Sequence, residues 1–502
     1  MGLEATTITI EVNLTRGVQF HLSGLADTAV KESYDRIRAA ITNNGFKPPT
    51  ADITINLSPA DIRKEGSGYD LPLAIGILAA YGKISATMLG QYMMIGELGL
   101  DGKLKPVSGM LSVAIRARKE KFKGLIVPRE NVREAAVVNQ LDVYGMDGLA
   151  DVISFLNGGS YEPTFVDTRK EFYEQQCAFD LDFADVKGQE SVKRALEIAA
   201  AGGHNIIMIG SPGSGKSMMA KRLPGILPPL TLAESLETTQ IHSVAGKLSS
   251  GTSLISQRPF RSPHHTVSQV AMTGGGNRAL PGEVSLAHNG VLFCDELPEF
   301  SKTTLEVLRQ PLEDRKITIS RAKYTVEYPC SFMFVASMNP CPCGYYGDPT
   351  HHCVCSPGQI SRYLSKISGP LLDRIDLHVE VPVVAFAQLS QMKPGESSAA
   401  IRERVIKARQ IQEQRYADNK GIYCNAQMTE RMLHQYAEPD TQSLDMLRTA
   451  MERLSLSARA YSRILKVART IADLEGSEAV RSHHISEAIG YRSLDRGDWA
   501  ER

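Results

Sequence analysis

The chain has 502 residues, too many for one hydrophobic core, so at roughly 150 residues per domain its length predicts two to four domains. Hydrophobic residues make up 42% and charged residues 22% of the chain, a composition typical of soluble globular proteins that excludes a disordered one. Lys plus Arg and Asp plus Glu are both 56, so a polyanion would have to bind local basic patches rather than an overall field.

Neither a membrane segment nor a secretion signal is recognisable in the sequence. No stretch approaches the ~18 uninterrupted apolar residues that a membrane helix needs, and the N-terminus alternates like a strand. Four of the eight cysteines lie in one short segment, which argues against the disulfide framework of a secreted protein. We therefore expect a cytoplasmic protein that does not associate with membranes.

The pattern of apolar residues divides the chain into four parts. Strand-like and helix-like runs alternate over residues 1–158, which predicts an α/β domain, whereas residues 159–183 show no steady period and suggest a linker. In residues 184–386 short apolar strands alternate with helices and glycine-rich turns, which predicts a second α/β domain. Residues 387–502 carry polar segments of helical period and predict a helical domain. The expected fold class is therefore α/β with a helical C-terminal part.

A complete G-x-x-x-x-G-K-S motif follows a predicted strand at 205–209 and precedes a helical run at 218–223. Glycines in such a loop let backbone N–H groups close around phosphate oxygens at a helix N-terminus, where the dipole favours anions. We expect Lys216 to reach the β- and γ-phosphates of ATP and Ser217 to bind Mg²⁺. The predicted nucleotide-binding residues are Gly210, Ser211, Pro212, Gly213, Ser214, Gly215, Lys216 and Ser217.

Two further apolar strands end in polar residues that suit phosphoryl transfer. The strand VLFC is followed by Asp295, which fits a Mg²⁺ ligand, and by Glu296, which fits the base that polarises the attacking water. The strand FMFVASMNP ends at Asn339, whose side chain can touch the water and the γ-phosphate. These residues are therefore candidates for the catalytic part of an ATP site.

Two arginines further along the chain are candidates for the cationic group from which phosphoryl transfer benefits. Arg374 follows a short predicted helix, and its alternative role is a structural ion pair with Asp373 or Asp376. Arg459 opens a helix in the C-terminal part and could also face the phosphates. Arg463 lies one helical turn further on the same face and is the rival of Arg459 for that role.

The segments that carry a family resemblance are DVKGQESVKRALEIAAAGGHNIIMIGSPGSGKS, LFCDELPEF, ASMNPCPCG and SGPLLDRIDLHVEVP. Together they resemble the magnesium-chelatase-like AAA+ family, and more closely its YifB/ComM branch, over essentially the whole chain. The resemblance implies Walker A for Lys216 and Ser217, Walker B for Asp295 and Glu296, sensor 1 for Asn339, the arginine finger for Arg374 and sensor 2 for Arg459. It also implies a homo-hexameric ring, because a finger that acts in trans needs a neighbouring subunit at each nucleotide.

Two insertions are predicted within the second α/β domain. Residues 258–266 and the glycine run 274–276 are typical of exposed loops and resemble the helix-2 insert of the family, which points into the ring pore. The segment RKITISRAKYTV predicts a hairpin and resembles the pre-sensor hairpin that grips nucleic acid through its phosphates. An ordinary solvated hairpin is the alternative. His264 and His265 are expected to be structural or inter-subunit residues rather than metal ligands. The candidate DNA contacts are Lys316, Arg321 and Lys323.

Two C-x-C pairs follow the sensor strand directly and place four thiols within fifteen residues. Four paired thiolates suit a tetrahedral Zn²⁺, and His351 or His352 could replace one of them. Reduced cysteines in an ordinary loop are the alternative, which does not explain why half of the chain's cysteines lie here. We expect a structural zinc site with no open position and no catalytic role. Its predicted ligands are Cys341, Cys343, Cys353 and Cys355.

The first domain resembles the proteolytic domain of Lon over KEGSGYDLPLA, GKLKPVSGML and GLIVPREN. Lon-type cleavage uses a Ser–Lys dyad. Aligned by the flanking glycines, the serine position falls on Gly68, one residue after Ser67, and the lysine position falls on Leu111. We expect a Lon-like fold without protease activity, since a fold does not carry function once its site has gone. The resemblance also implies an additional strand before Met1.

These observations predict an ATP-hydrolysing motor and leave its target open. The basic hairpin favours a DNA translocase or branch-migration helicase in recombination or DNA uptake, acting on single-stranded or branched DNA. An ATP-dependent protein remodeller with the first domain as adaptor is the second hypothesis. The third is a motor for metal insertion into a tetrapyrrole, which is disfavoured because such motors work with a D-x-S-x-S adhesion domain and this sequence has no such motif.

Overall fold

The structure is a computed structural model that describes residues 2–249, 251–276, 278–321, 324–383, 395–419, 421–454, 456–492 and 494, apart from the side chains of 321, 324 and 454. It divides into two compact units. The first unit comprises Met1–Tyr173 and Ser235–Ile255, and the second comprises Glu174–Glu234 and Ser256–Arg502. The segment after the predicted nucleotide-binding helix therefore belongs partly to the first unit, which the sequence did not predict.

Two three-stranded sheets and one short strand pair form the β-structure of the first unit. In the mixed sheet, the middle strand is antiparallel to one neighbour and parallel to the other, in the order β1-β3-β2. The second sheet is parallel, in the order β4-β7-β8. The strands are β1 (Thr9–Thr15), β2 (Phe20–Ser23), β3 (Asp52–Ser58), β4 (Tyr92–Met94), β5 (Glu97–Leu98), β6 (Leu104–Lys105), β7 (Gly124–Pro128) and β8 (Asp142–Met146).

Helices of the first unit cover these sheets. Most residues of Asp70–Ala80 are buried and apolar, because this helix contacts the core on several sides. A helix also forms at Thr168–Gln175, within the predicted linker, where Phe172 is buried. The helices are α1 (Thr28–Lys31), α2 (Ser33–Asn43), α3 (Asp70–Ala80), α4 (Met110–Lys119), α5 (Val132–Ala135), α6 (Leu149–Leu156) and α7 (Thr168–Gln175).

A five-stranded parallel sheet forms the centre of the second unit, in the order β10-β13-β16-β9-β17. Every residue of β9, β13 and β16 is buried, which is why these strands are continuous apolar runs in the sequence. The α/β class with a parallel sheet is thus confirmed. The sheet strands are β9 (Ile206–Ile209), β10 (Phe260–Arg261), β13 (Val291–Cys294), β16 (Met333–Met338) and β17 (Leu377–Glu380).

Two antiparallel strand pairs lie outside this sheet. The predicted basic hairpin forms, with Lys316 opposite Pro329 and Arg321 opposite Tyr324. Gly274–Gly275, which the sequence placed in an exposed loop, pairs with a second short strand, and Phe260–Arg261 forms an edge strand of the central sheet instead of a loop. The pairs are β11 (Gly274–Gly275) with β12 (Leu280–Pro281), and β14 (Lys316–Arg321) with β15 (Tyr324–Pro329).

The helical part shares one hydrophobic core with the central sheet, so residues predicted to form an α/β and a helical domain lie in one unit. The C-terminal helix Ala458–Glu475 is capped by Ser457, whose Oγ accepts from the Ala460 N–H, and it ends at Gly476 in the left-handed conformation. The helices are α8 (Glu190–Gly202), α9 (Lys216–Arg222), α10 (Leu232–Val244, shared by both units), α11 (Gln269–Thr273), α12 (Glu283–Leu286), α13 (Lys302–Glu306), α14 (Arg309–Asp314), α15 (Pro357–Leu364), α16 (Gly369–Leu372), α17 (Ser398–Arg415), α18 (Glu430–Tyr436), α19 (Thr441–Leu454), α20 (Ala458–Glu475) and α21 (Ser482–Gly490). Among the helices in the described ranges, none has the length and hydropathy that a membrane crossing requires.

Candidate nucleotide-binding and active site

The glycine-rich motif connects β9 to α9 at the carboxyl edge of the central sheet. Gly213 and Gly215 have φ values of 78° and 92°, a region that residues with a side chain adopt only with strain. Because both residues are glycines, the chain can turn sharply here and present backbone N–H groups at the start of α9. We call residues 210–217 the P-loop. A helix N-terminus preceded by such a loop suits phosphate binding.

Lys216 is buried inside this loop. Its Nζ lies 2.6 Å from the Gly210 carbonyl, 3.0 Å from the Ser211 carbonyl and 3.4 Å from Asn339 Oδ1. Burial lowers the pKa of Lys216, and the carboxylates of the neighbouring strand end oppose this shift because they stabilise the ammonium form. The structure thus brings Lys216 and Asn339 together, as their predicted roles require.

Asp295, which follows β13, contacts both the P-loop and β16. Ser217 Oγ donates to Asp295 Oδ2 at 2.7 Å, and Ser337 Oγ donates to the other carboxylate oxygen. The parallel register of β9, β16 and β13 explains this convergence, because the carboxyl ends of all three strands lie at one edge. A hydroxyl and a carboxylate at this distance are a fitting pair for Mg²⁺. Ser337 was missed by the sequence analysis, although it lies in β16 only two residues before Asn339, which follows that strand.

Glu296 follows Asp295 in the left-handed conformation, with φ of 53°, and its side chain is 57% exposed. Its N–H is held by Asp295 Oδ1 at 3.2 Å and by Ser337 Oγ at 3.4 Å. The backbone therefore turns the carboxylate out of the sheet edge and toward solvent, where a water-activating base is needed. His265 Nδ1 lies 3.8 Å from Glu296 Oε2, a placement that the sequence did not predict.

Arg374 lies at the opposite edge of the sheet from the P-loop. Asn205 Nδ2 donates to its carbonyl at 2.9 Å, and Asn205 precedes β9 whereas Gly210 follows it. Five residue steps along the extended strand separate these two positions by about 16 Å. The guanidinium pairs with Glu313, rather than with either predicted aspartate, and lowers the pKa of Glu313. Arg374 is therefore not brought to the P-loop of its own chain.

Arg459 lies near Arg374 at the same edge. Its Nη1 is 3.2 Å from Asp373 Oδ2, and its side chain is 65% exposed, so the pair is weak. The rival Arg463 instead forms a partly buried ion pair at 2.9 Å with Asp376, which is 1% exposed and also accepts from the Asn205 N–H. Arg463 thus has a structural contact, and Arg459 is the arginine free to reach outward.

Comparisons with known proteins agree with this geometry. Three family models match: Subunit ChlI of Mg-chelatase over residues 10–131, Magnesium chelatase, subunit ChlI over 182–389, and the subunit ChlI C-terminal model over 395–492. Competence protein ComM of Haemophilus influenzae is 45% identical over 500 residues, covering 99% of this chain and 96% of ComM. The uncharacterized protein YifB of Escherichia coli is 44% identical over 502 residues, with the same coverage.

The chain belongs to the YifB/ComM family of magnesium-chelatase-like proteins. This family is one of AAA+ ATPases, which bind ATP with Mg²⁺ and commonly form oligomers. The second unit, which contains the P-loop and the parallel sheet, is accordingly the AAA+-like part of the protein. Similarity to Lon is partial: Lon protease 2 of Bacillus subtilis is 31% identical over 112 residues, 22% of this chain and 19% of the protease.

Position Leu111, where a Lon-type dyad would have its lysine, is fully buried in this family member. Its N–H donates to Glu134 at 2.9 Å at the start of α4. At the serine position, an added Cβ on Gly68 would lie 3.2 Å from the side chain of Ile95. The neighbouring Ser67 donates to the carboxylate of Glu97. The two dyad positions, Gly68 and Leu111, thus carry neither a hydroxyl nor an amine.

The four cysteines of residues 341–355, which we call the cysteine loop, converge in this family member. All four sulfurs lie within 4.8 Å of one another, and three of the separations are 3.3, 3.6 and 3.7 Å. Sulfurs at ~2.3 Å from a tetrahedral zinc lie about 3.8 Å apart, so the arrangement fits the metal. His351 is not part of the cluster, because it stacks on Tyr345 with ring centroids 4.7 Å apart.

One cysteine of the cluster favours the thiolate that zinc needs. Burial acts to raise the pKa of Cys343, but hydrogen bonds from the backbone N–H groups of Tyr345 and Val354 outweigh it and lower the pKa to about 6. The remaining cysteines outside the loop do not cluster among the described residues.

One cation of the basic hairpin of this family member forms an ion pair within the hairpin. Lys316 Nζ lies 3.0 Å from Glu327 Oε2 on the opposite strand, and both side chains are about half exposed. The side chain of Arg321 and all of Lys323 lie outside the described residues. Of the three candidate DNA contacts, the structure describes the side chain of Lys316 alone.

Proposed function

We propose that this protein is an ATP-hydrolysing motor that acts on DNA as a homo-hexameric translocase or branch-migration helicase. The observation that carries the ATPase part is the convergence of Lys216, Ser217 and Asp295 at one edge of a parallel sheet. Lys216 and the P-loop backbone would bind the phosphates, and Ser217 and Asp295 would hold Mg²⁺, which neutralises charge on the phosphates. Glu296 then polarises the attacking water, and Asn339 orients it.

The position of Arg374 and Arg459 supports a ring. Both lie at the sheet edge away from the P-loop of their own chain, so they act on phosphates only if a neighbouring subunit presents its nucleotide there. We assign Arg374 as the arginine finger and Arg459 as a second cation, both in trans.

DNA as the target rests on two observations. The β14–β15 hairpin lies in the chain between the Walker B and sensor strands and carries Lys316, Arg321 and Lys323. The relative ComM is named a competence protein, and competence is the uptake of DNA. Contacts with phosphates would let the hairpin hold single-stranded or branched DNA without reading its sequence.

Changing Lys316, Arg321 and Lys323 together to Ala is expected to weaken DNA binding and DNA-stimulated ATP turnover. Each phosphate contact that is lost means that binding releases fewer counterions. The slope of log affinity against log salt should therefore become shallower by up to about 2 on single-stranded DNA. Basal turnover should persist because the P-loop residues are untouched. The measurement is a salt titration on single-stranded and forked DNA, with ATPase assayed in parallel.

A charge-matched variant serves as the control: Lys221, Lys302 and Lys407 are exposed and lie outside the hairpin. Changing these three to Ala should leave the salt slope as in the wild type. Equal DNA affinity of the wild type and the hairpin variant would place the DNA contact elsewhere. A wild-type protein that binds no DNA at any salt would overturn the DNA proposal.

A protein remodeller is the second candidate, and the Lys316–Glu327 ion pair is the observation that favours it, since it neutralises one of the three hairpin cations. ATP turnover stimulated by unfolded protein rather than by DNA would decide for it. The Lon-like domain would then be an adaptor without protease activity of its own. A chelatase motor remains the third and weakest hypothesis.

We further propose that the cysteine loop holds one structural Zn²⁺ through Cys341, Cys343, Cys353 and Cys355. The four-sulfur geometry supports it, and a site closed by four protein ligands contributes folding energy but no open coordination position. Zinc there would fix a fifteen-residue loop that begins directly after sensor Asn339 and Pro340.

Protein purified without chelator is expected to contain about one zinc per chain, and Cys341→Ser with Cys343→Ser should remove it together with solubility. Metal analysis checks the content, and a Cys177→Ser variant, which changes an exposed cysteine outside the loop, should keep the full amount. Since the double variant can fail to fold, thiol labelling of the wild type is the second measurement: four thiols should become reactive only after chelation. Zinc-free protein with four reactive thiols at the outset would contradict the assignment.

A further inference from the structure

Asp348 connects the cysteine loop to the P-loop. Its carboxylate lies between the two cysteine pairs in sequence and is 1% exposed. Within its own loop, Oδ1 accepts from the Thr350 N–H at 2.8 Å, from Thr350 Oγ1 at 2.7 Å and from the His351 N–H at 3.0 Å. The hydroxyl of Ser211, the first residue after Gly210 in the P-loop, lies beside the same carboxylate and helps to lower its pKa. The hydrogen bonds, led by those of Thr350, lower the pKa of Asp348, so it is a carboxylate that accepts them.

Gly344 makes a second contact between the same two segments. Its N–H donates to the Cys341 carbonyl at 3.0 Å and closes the turn around the first cysteine pair. It has φ of 89°, and a Cβ built on it would lie 2.7 Å from Pro212 Cδ. The backbone of the cysteine loop therefore lies directly against the Pro212 ring, with no space for a side chain between them.

These contacts continue to the lysine that binds phosphate. The carbonyl of Ser211 accepts from Lys216 Nζ at 3.0 Å, so the residue whose side chain lies beside Asp348 contacts Lys216 through its backbone. Ser211 is itself buried, at 7% exposure, so its hydroxyl has no easy alternative in solvent. Two residues of the cysteine loop thus lie against the part of the P-loop that contacts Lys216.

We propose that Gly344 and Asp348 are positioning residues for nucleotide binding, and that Zn²⁺ bound by the four cysteines holds them against Pro212 and Ser211. The inference rests on the proposed ATP and zinc sites and goes beyond them, because it makes nucleotide affinity depend on the metal. Without the metal, the cysteine loop loses the constraint that keeps it in one conformation, and ordering it again costs conformational entropy when nucleotide binds.

Four variants test the contact while leaving the cysteines intact. Ser211→Ala removes the hydroxyl beside Asp348, Asp348→Ala removes the carboxylate, and the double variant completes a cycle. Gly344→Ala introduces a side chain where Pro212 leaves no space. A hydrogen bond to a charged group corresponds to about a tenfold change in affinity, so each variant should bind a fluorescent ATP analogue about tenfold more weakly. The loss should appear in Kd and KM more than in kcat, since no group that touches the reacting atoms changes.

The cycle separates a direct contact from general damage. If Ser211 acts through Asp348, Ser211→Ala should have little further effect in the Asp348→Ala protein. Thr350→Ala is the matched control, because it removes a partner of Asp348 within the cysteine loop but no contact with the P-loop, and its affinity should stay within about twofold of wild type. Zinc content is measured for every variant, and chelator-treated wild type should also lose about tenfold in nucleotide affinity.

Each outcome is distinct. Variants that retain zinc and bind the nucleotide as tightly as wild type would overturn the inference alone, as would additive effects of Ser211→Ala and Asp348→Ala. Unchanged affinity after complete zinc removal would overturn the role of the metal. A wild-type protein that binds no nucleotide would overturn the proposed function together with the inference.

Discussion

Lys216→Ala is expected to abolish ATP binding. The ammonium group of Lys216 lies inside the P-loop, 2.6 to 3.0 Å from the carbonyls of Gly210 and Ser211. The P-loop connects the end of β9 to the N-terminus of α9. Two charge-assisted hydrogen bonds to phosphate oxygens correspond to about 3 to 6 kcal/mol, so affinity should fall at least about 100-fold. Titration with a fluorescent ATP analogue measures the loss directly.

Lys221→Ala is the matched control, because Lys221 belongs to the same helix and is exposed. It should bind ATP as the wild type does. Because Lys216 is buried beside Asp295 and Glu296, its removal also leaves two carboxylates without their cation, so the variant's thermal unfolding is recorded to confirm that it is folded. A folded Lys216→Ala protein with near-normal affinity would show that the P-loop is not the nucleotide site.

Glu296→Gln is expected to keep ATP binding and to lose hydrolysis. The amide preserves the size of the side chain and its left-handed backbone position, but it cannot accept a proton from water. A general base contributes about 10² to 10⁴ in rate, so turnover should fall within this range while the Kd for ATP stays near the wild-type value. Phosphate release and nucleotide binding are measured on the same preparation.

Glu299→Gln is the control for this change. Glu299 lies three residues after Glu296, is exposed, and pairs with Lys366 at 3.4 Å. Its turnover should match the wild type. Retained hydrolysis in Glu296→Gln would mean that another group activates the water, and His265, 3.8 Å from Glu296, would be the first residue to change next.

Much of the candidate site could be predicted because its parts are local in sequence. The turn at Gly213 and Gly215 needs positive φ, and the apolar runs before Gly210 and Asp295 can only be buried strands with a polar end. Such constraints involve a few consecutive residues and leave a recognisable pattern. The cysteine cluster was predictable for the same reason, since its ligands lie within fifteen residues.

Contacts between distant residues could not be predicted in this way. Ser337 binds Asp295 only because β16 lies beside β13. Arg374 pairs with Glu313, although two aspartates are much closer to it in sequence. The pairing of Lys316 with Glu327 depends on the hairpin register. A contact between residues that are distant in sequence changes neither the periodicity nor the composition of the sequence around them.

By itself, the sequence determined the α/β class, the P-loop, the carboxylate pair at Asp295 and Glu296, and the grouping of the four cysteines. Only the tertiary structure decided where these parts face. The parallel order of the central sheet puts Lys216 and Asp295 at one edge and Arg374 at the other, so that the arginine must serve a second subunit if it serves a nucleotide at all. The structure alone also revealed that the side chain of Ser211 lies beside the carboxylate of Asp348. The reason is physical: residue patterns fix local conformation, whereas the packing of strands and loops fixes which chemical groups meet.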